Sequence, residues 1–203
     1  MVQEGALTGV GLRTPKAAAI AGIIFSILLI IIFWLLRSAL PANPMEPGAW
    51  LNANSRTIAI ALNLVPFAGI AFIWFLGVLC NRLGALEDRF FATVFFGSAL
   101  LFLAMLFADA AILGGLVLTS AAQPNELINS TTLYFARAVT YNIMNIYAIK
   151  MAAVFMISTS TVVIYTGIAP RWIAVLGYGL ALVLLLGSYC ISWGFFVLPL
   201  WVC

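Results

Sequence analysis

An all-α, polytopic transmembrane helix bundle of about five spans is the fold that this 203-residue chain predicts. Three observations carry the prediction. Hydrophobic residues make up 65% of the chain and charged ones 7%, with a mean hydropathy of +1.18, whereas a soluble domain of this size needs far more polar surface. Five apolar runs reach the ~20 residues that a helix needs to cross the hydrocarbon layer. None shows the short alternation of a barrel strand, so each must satisfy its own backbone as a helix. The length accommodates one transmembrane domain and no substantial water-soluble one.

The first run, Ala17–Leu36, is bracketed by Lys16 and Arg37. It follows the polar "MVQEGALTGVGLRTPK" and exceeds the core of a signal peptide, so an uncleaved first span is expected. The second, Thr57–Cys80, lies between Arg56 and Arg82 and contains Pro66, which should kink it. Arg89 precedes the third, Phe90–Leu118. The fourth, Ala138–Thr166, stops at "GIAP", a glycine followed by a proline. Helix-compatible sequence extends upstream of it to Pro124. Residues Asn125–Ala138 are therefore expected as helix above the bilayer, or laid along its surface by a break near "FARAV". The fifth run is Trp172–Leu198, with Pro199 just beyond.

With five spans, the N-terminus, the second loop and the fourth loop share a side. That side carries Arg13, Lys16, Arg82, Arg89 and Arg171, against Arg37, Arg56 and Arg137 on the other. The positive-inside rule then predicts a cytoplasmic N-terminus and an external C-terminus. Trp34, Trp172 and Trp201 fit interfacial belts, and Arg82, Glu87, Asp88 and Arg89 fit a self-neutralising turn between the second and third spans.

Composition also excludes. The chain has no histidine, which removes bis-histidine haem, imidazole-ligated metals and every triad built on imidazole. Cys80, Cys190 and Cys203 show no CxxC spacing, so no metal site is expected from them. No enzyme and no cofactor are predicted. The net charge of +3 is dispersed along the chain, which argues against nucleic acid as a partner.

Candidate functional residues come from the polar groups inside the spans. Asp109 and Lys150 are the ionisable groups well within them, of opposite sign. Counting ~1.5 Å per residue from the ends carrying Phe90, Gly167 and Cys80 puts Asp109, Lys150 and Asn63 at one level. An ion pair between Asp109 and Lys150, lined by Asn63, is expected, since a lone intramembrane charge costs several kcal/mol. Asn63 shares a helical stripe with Phe67, Ile70 and Trp74, read as facing inward. Asn142 and Asn145 would continue a polar path outward, with Tyr147 at its margin. The same pair could instead fix helix register alone. A lysine paired with an aspartate also occurs in retinal proteins, but five spans and a lysine on the penultimate one argue against that class.

"TPKAAAIAGIIFSILL", "LNLVPFAGIAFIWFLGVL", "RLGALEDRFFATVFFGSALLFLAMLF" and "GIAPRWIAVLGYGLALVLLLG" together resemble a family of uncharacterised bacterial polytopic integral membrane proteins with no established activity. The resemblance implies a multi-pass protein of the bacterial inner membrane and supplies no catalytic residue. Two functions are expected to compete: binding or transport of a small solute at an outer-leaflet polar site, and an accessory or scaffold role. The partners would be the lipid bilayer, subunits of a larger membrane complex, or further copies of the chain.

Overall fold

A computed structural model describes residues 14–83, 89–127, 130–167, 170–187 and 194–203. The turn containing Glu87 and Asp88, together with Cys190, lies outside the described residues. Every regular element among those described is helical. Four helices are long and apolar enough to cross a membrane, and a shorter apolar one joins them, giving a membrane-spanning bundle of about five spans. Hydropathy dictates this result, because in lipid an apolar segment can close its hydrogen bonds only on itself.

Helix α1 (Thr14–Ala39) and α2 (Ala49–Leu83) form a long antiparallel hairpin. Asn54 Nδ2 donates to the Ala39 carbonyl at 2.9 Å, satisfying one of the orphan acceptors at the α1 C-terminus. Helix α2 runs through Pro66, whose missing N–H removes one backbone bond without ending the helix. Helix α3 (Arg89–Ala122) packs on α2 and is followed by the single turn α4 (Pro124–Leu127).

The fourth crossing is built in three pieces. Helix α5 (Thr131–Asn142) starts at Ser130, whose hydroxyl accepts from the Leu133 N–H at 3.1 Å. The expected extramembrane helix thus begins anew at a serine cap, and "FARAV" lies inside α5 rather than at a break. A π-helical segment (Ile143–Ala148) follows, and α6 (Ile149–Thr166) completes the crossing. Gly167 ends it with φ +64°, the left-handed conformation that favours glycine.

The expected continuous fifth span is divided. Helix α7 (Arg171–Leu186) ends at Gly187, and the chain re-enters the bundle as a 3₁₀ turn (Gly194–Phe196) leading into α8 (Val197–Val202). Pro199 lies inside α8. The Trp201 indole N–H donates to the Ile173 carbonyl at 3.4 Å, and Val202 lies against Gly22 of α1. So α8 runs back alongside α7 towards its Arg171 end, and Trp201 sits between helices rather than in an outer belt.

Two layers of core result. The central one stacks Phe25, Phe72, Phe155 and Phe95, with successive ring centroids 4.5, 5.4 and 5.2 Å apart. A smaller cluster of Leu51, Ile58, Leu113 and Leu133 closes the end of the bundle where α1 stops. Between the two layers lies the candidate site.

Candidate functional site

On α5 the buried residues are Leu133, Arg137 and Thr140, and Met144 continues the row into the π segment. Their spacing of four, three and four residues is one helical face. Arg137 therefore points into the bundle and is 6% exposed. Its Nη2 donates to the Pro41 carbonyl at 3.1 Å, and its guanidinium carbon lies 5.1 Å from the Trp50 ring centre. One side chain thus ties α5 to the α1–α2 connection and to the start of α2, and the arginine gains both a carbonyl and an aromatic face.

Asp109 of α3 supplies the opposite charge. It is 4% exposed and interacts electrostatically with Arg137. Yet among the described residues neither Asp109 Oδ1 nor Arg137 Nε has a hydrogen-bond partner. Both residues line a cavity of about 170 Å³, together with a further charged residue, Arg37, and with Phe33, Leu113, Tyr141, Met144, Asn145 and Phe196. Its base comes from the re-entrant turn: Phe195 and Phe196 lie 5.4 and 6.0 Å from the Phe33 ring. Asp109 and Arg137, each with a buried and unpartnered atom, thus bring opposite charges to a cavity whose walls are both polar and apolar. Buried polar groups are satisfied almost everywhere in folded proteins, so this combination calls for a third party.

The expected pairing of Asp109 with Lys150 is not formed. Lys150 is half-buried, does not line the cavity and has no hydrogen bond or ion pair among the described residues. The physical reason is one of level. Phe95 of α3 stacks on Phe155 of α6, which places Lys150 opposite about Leu100 in this antiparallel pair. Asp109 lies nine residues further along, or ~13 Å. Depth counted from helix ends assumed coplanar ends, and these are staggered.

Asn63 is corrected too: it faces outward and its Nδ2 donates to the Ala59 carbonyl of its own helix at 2.8 Å. Its stripe, with Phe67, Ile70 and Trp74, is exposed, Trp74 at 71%. Asn142 likewise bonds back, to the Ala138 carbonyl at 2.8 Å, and is exposed, so it does not extend a path from the cavity. Asn145 lines the cavity, with its Nδ2 donating to the Tyr141 carbonyl and its amide oxygen left as an acceptor. Tyr147 is 56% exposed and lies outside the site. Arg137 is the residue that sequence reasoning misses, because it falls in the stretch Asn125–Ala138 expected outside the bilayer and counts there as an external charge. Its signal is the helical spacing of the apolar Leu133 and Met144 on either side of it.

No group of histidine, cysteine, aspartate and glutamate among the described residues has the arrangement to hold a metal ion. Comparison with protein-family models, with curated proteins and with solved structures finds no match.

Proposed function

We propose that the chain is a non-enzymatic, multi-pass protein of the bacterial inner membrane that binds a small solute in the Asp109–Arg137 cavity, for transport or sensing. One observation carries the reading: two oppositely charged, almost fully buried side chains line the same cavity, each with an atom left without a hydrogen-bond partner. Ionisable groups inside membrane bundles generally mark ligand or ion pathways. A purely structural pair would be expected to close directly, since buried charges recover their desolvation cost only through good geometry. The volume is below the ~300–1,000 Å³ of ordinary ligand pockets, which favours a solute of few heavy atoms.

Loop charges favour a cytoplasmic N-terminus, which places the cavity in the outer half of the bilayer. The α7–α8 hairpin then favours a C-terminus turned back towards the cytoplasmic side, in place of an external one. A second reading, as an accessory subunit, is favoured by Asn142, Tyr147 and Lys150, polar groups on the outside of the fourth crossing that lipid tails do not match. Purification from native membranes in mild detergent, followed by cryo-electron microscopy, tests both. Non-protein density touching Asp109 and Arg137 supports the first reading. A partner seated on Lys150, with an empty, collapsed cavity, replaces it with the second.

A further inference from the structure

Going beyond the solute reading, we infer that the outward face of the fourth crossing docks a transmembrane helix of another polypeptide, whose aspartate or glutamate pairs with Lys150. Depth comes first. Phe155 of α6 stacks on Phe72, which stacks on Phe25 of α1, so the three rings mark one level. Lys150 lies five residues before Phe155, ~7.5 Å nearer the end of the bundle where α1 stops. On α1 that level is about Ile30, seven residues or ~10 Å short of Arg37. The bonds of a lysine stem, ~1.5 Å each, do not cover that distance even when fully extended. The ammonium therefore stays inside the apolar layer, where a lone charge is costly and marks a functional contact. Nothing within the chain relieves it: Lys150 has no hydrogen bond or ion pair among the described residues, and Asp109 is buried ~13 Å further along the bundle axis.

Shape agrees with charge. Ile146, Lys150, Val154 and Ile157 follow one another at four, four and three residues, and each is half-buried. Helices α3 and α7 pack on other faces of α6, through Phe95 on Phe155 and Tyr178 on Thr161. The row is thus an open apolar strip with one cation in it. Tyr147, 56% exposed and three residues before Lys150, adds a hydroxyl on the side towards which a helical side chain leans. Charge then decides the occupant. Of the six acidic residues in the chain, Asp109 alone falls within an apolar run, and it is buried. A second copy therefore brings no carboxylate to this depth, and a two-fold pairing of the strip would set lysine against lysine. Headgroup phosphates lie at the rim, beyond the reach of the ammonium. A helix from a different polypeptide, with its acid at the level of Ile146–Lys150, meets both the charge and the strip.

The test uses the full chain in its native host membrane, with the photo-reactive p-benzoylphenylalanine in place of Tyr147. Irradiation should join it to a polypeptide whose sequence, read by mass spectrometry, places an aspartate or glutamate inside an apolar run. Lys150→Met should cut the adduct ~10-fold or more, because the partner's carboxylate is left unpaired, whereas Lys150→Arg should keep it. Lys150→Gln replaces Lys150→Met if the latter fails to fold. Exchanging the charges, Lys150→Asp against a lysine in place of the partner's acid, should restore the adduct that either change alone loses. Lys150 does not line the Asp109–Arg137 cavity, so a solute bound there stands or falls separately. The inference is overturned by an adduct with a second copy, by one with a protein lacking such a carboxylate, or by one indifferent to the loss of the lysine. Failure of the exchange to restore the adduct overturns it too, as does irradiation that yields no protein adduct at all.

Discussion

Replacing Gly177 with alanine tests how the re-entrant C-terminal segment is held. A β-carbon there would collide with Ser160 Oγ of α6 and lie 2.8 and 2.9 Å from Cζ2 and Cε2 of Trp201 on α8. Carbon contacts that close do not persist, so α7 must move from α6, from α8, or from both. Overpacking of this kind costs ~1–3 kcal/mol. For a chain of this length each kcal/mol lowers the melting temperature by ~2–4 °C, so a fall of ~2–12 °C is expected. Thermal unfolding in detergent, followed by intrinsic tryptophan fluorescence, reads it directly. Gly179→Ala is the control: nothing lies within 4 Å of that position, so no loss is expected. Ser160→Ala is expected to be nearly neutral alone, since Ser160 Oγ is buried without a partner. Combined with Gly177→Ala it should restore part of the loss, giving a coupling of ~0.5 kcal/mol or more. If Gly177→Ala melts with Gly179→Ala, α8 does not pack against α7 as described and the re-entrant hairpin is refuted.

Three further outcomes follow from the same geometry. Arg137→Met should cost ~3–5 kcal/mol by leaving Asp109 buried and uncompensated, whereas Lys150→Met should cost less than ~1 kcal/mol; equal losses in chemical denaturation would restore the pairing of Asp109 with Lys150. Tyr178→Phe removes a 2.6 Å hydroxyl–hydroxyl bond to Thr161 that joins α6 and α7, and should cost about 0.6 kcal/mol, up to ~1.7. In a chain carrying Cys80→Ser and Cys190→Ser, an impermeant maleimide applied to right-side-out and inverted vesicles should reach Cys203, which is exposed, from the side on which α7 begins. Labelling from the opposite side would mean that α8 does not return.

The bundle was legible because backbone hydrogen bonding in lipid leaves the chain a single option, and hydropathy alone reveals where it applies. The orientation of each helix was not. The Asn63, Phe67, Ile70 and Trp74 stripe reads the same whether it faces lipid or protein, because both are apolar. Small residues raise the same ambiguity: Gly177 is a site of close approach, while Gly115 and Gly179 have open space where a β-carbon would go. Half of the candidate site was found. Asp109 stood out as a charge deep in a span, whereas Arg137 was hidden by its nearness to a loop and is recognisable from the apolar row in which it sits. Lys150 misled because helix ends stagger, and a linear sequence carries no record of the offset. The backbone-bonded Ser158, Thr159 and Thr161 behaved as their residue types suggest, each donating to the carbonyl four residues before it.

The π-helical segment Ile143–Ala148 has a consequence for how this protein could change over generations. A wide turn of this kind holds one residue more than the α-helical turn it replaces, so it is the place where a single codon can be lost without breaking the rod. Such a loss would leave hydropathy, length and span count almost untouched. Within the π segment it would also leave Arg137 facing Asp109, because the turn that remains still closes one revolution. Lost from α6 instead, the same single residue would turn everything upstream by ~100° about the helix axis, the angle that one residue subtends. Arg137 would swing away from Asp109 towards lipid, and Phe135, now outward at 70% exposure, would swing with it. Two chains differing by that one residue would look alike to any measure of composition, and one of them would have no site.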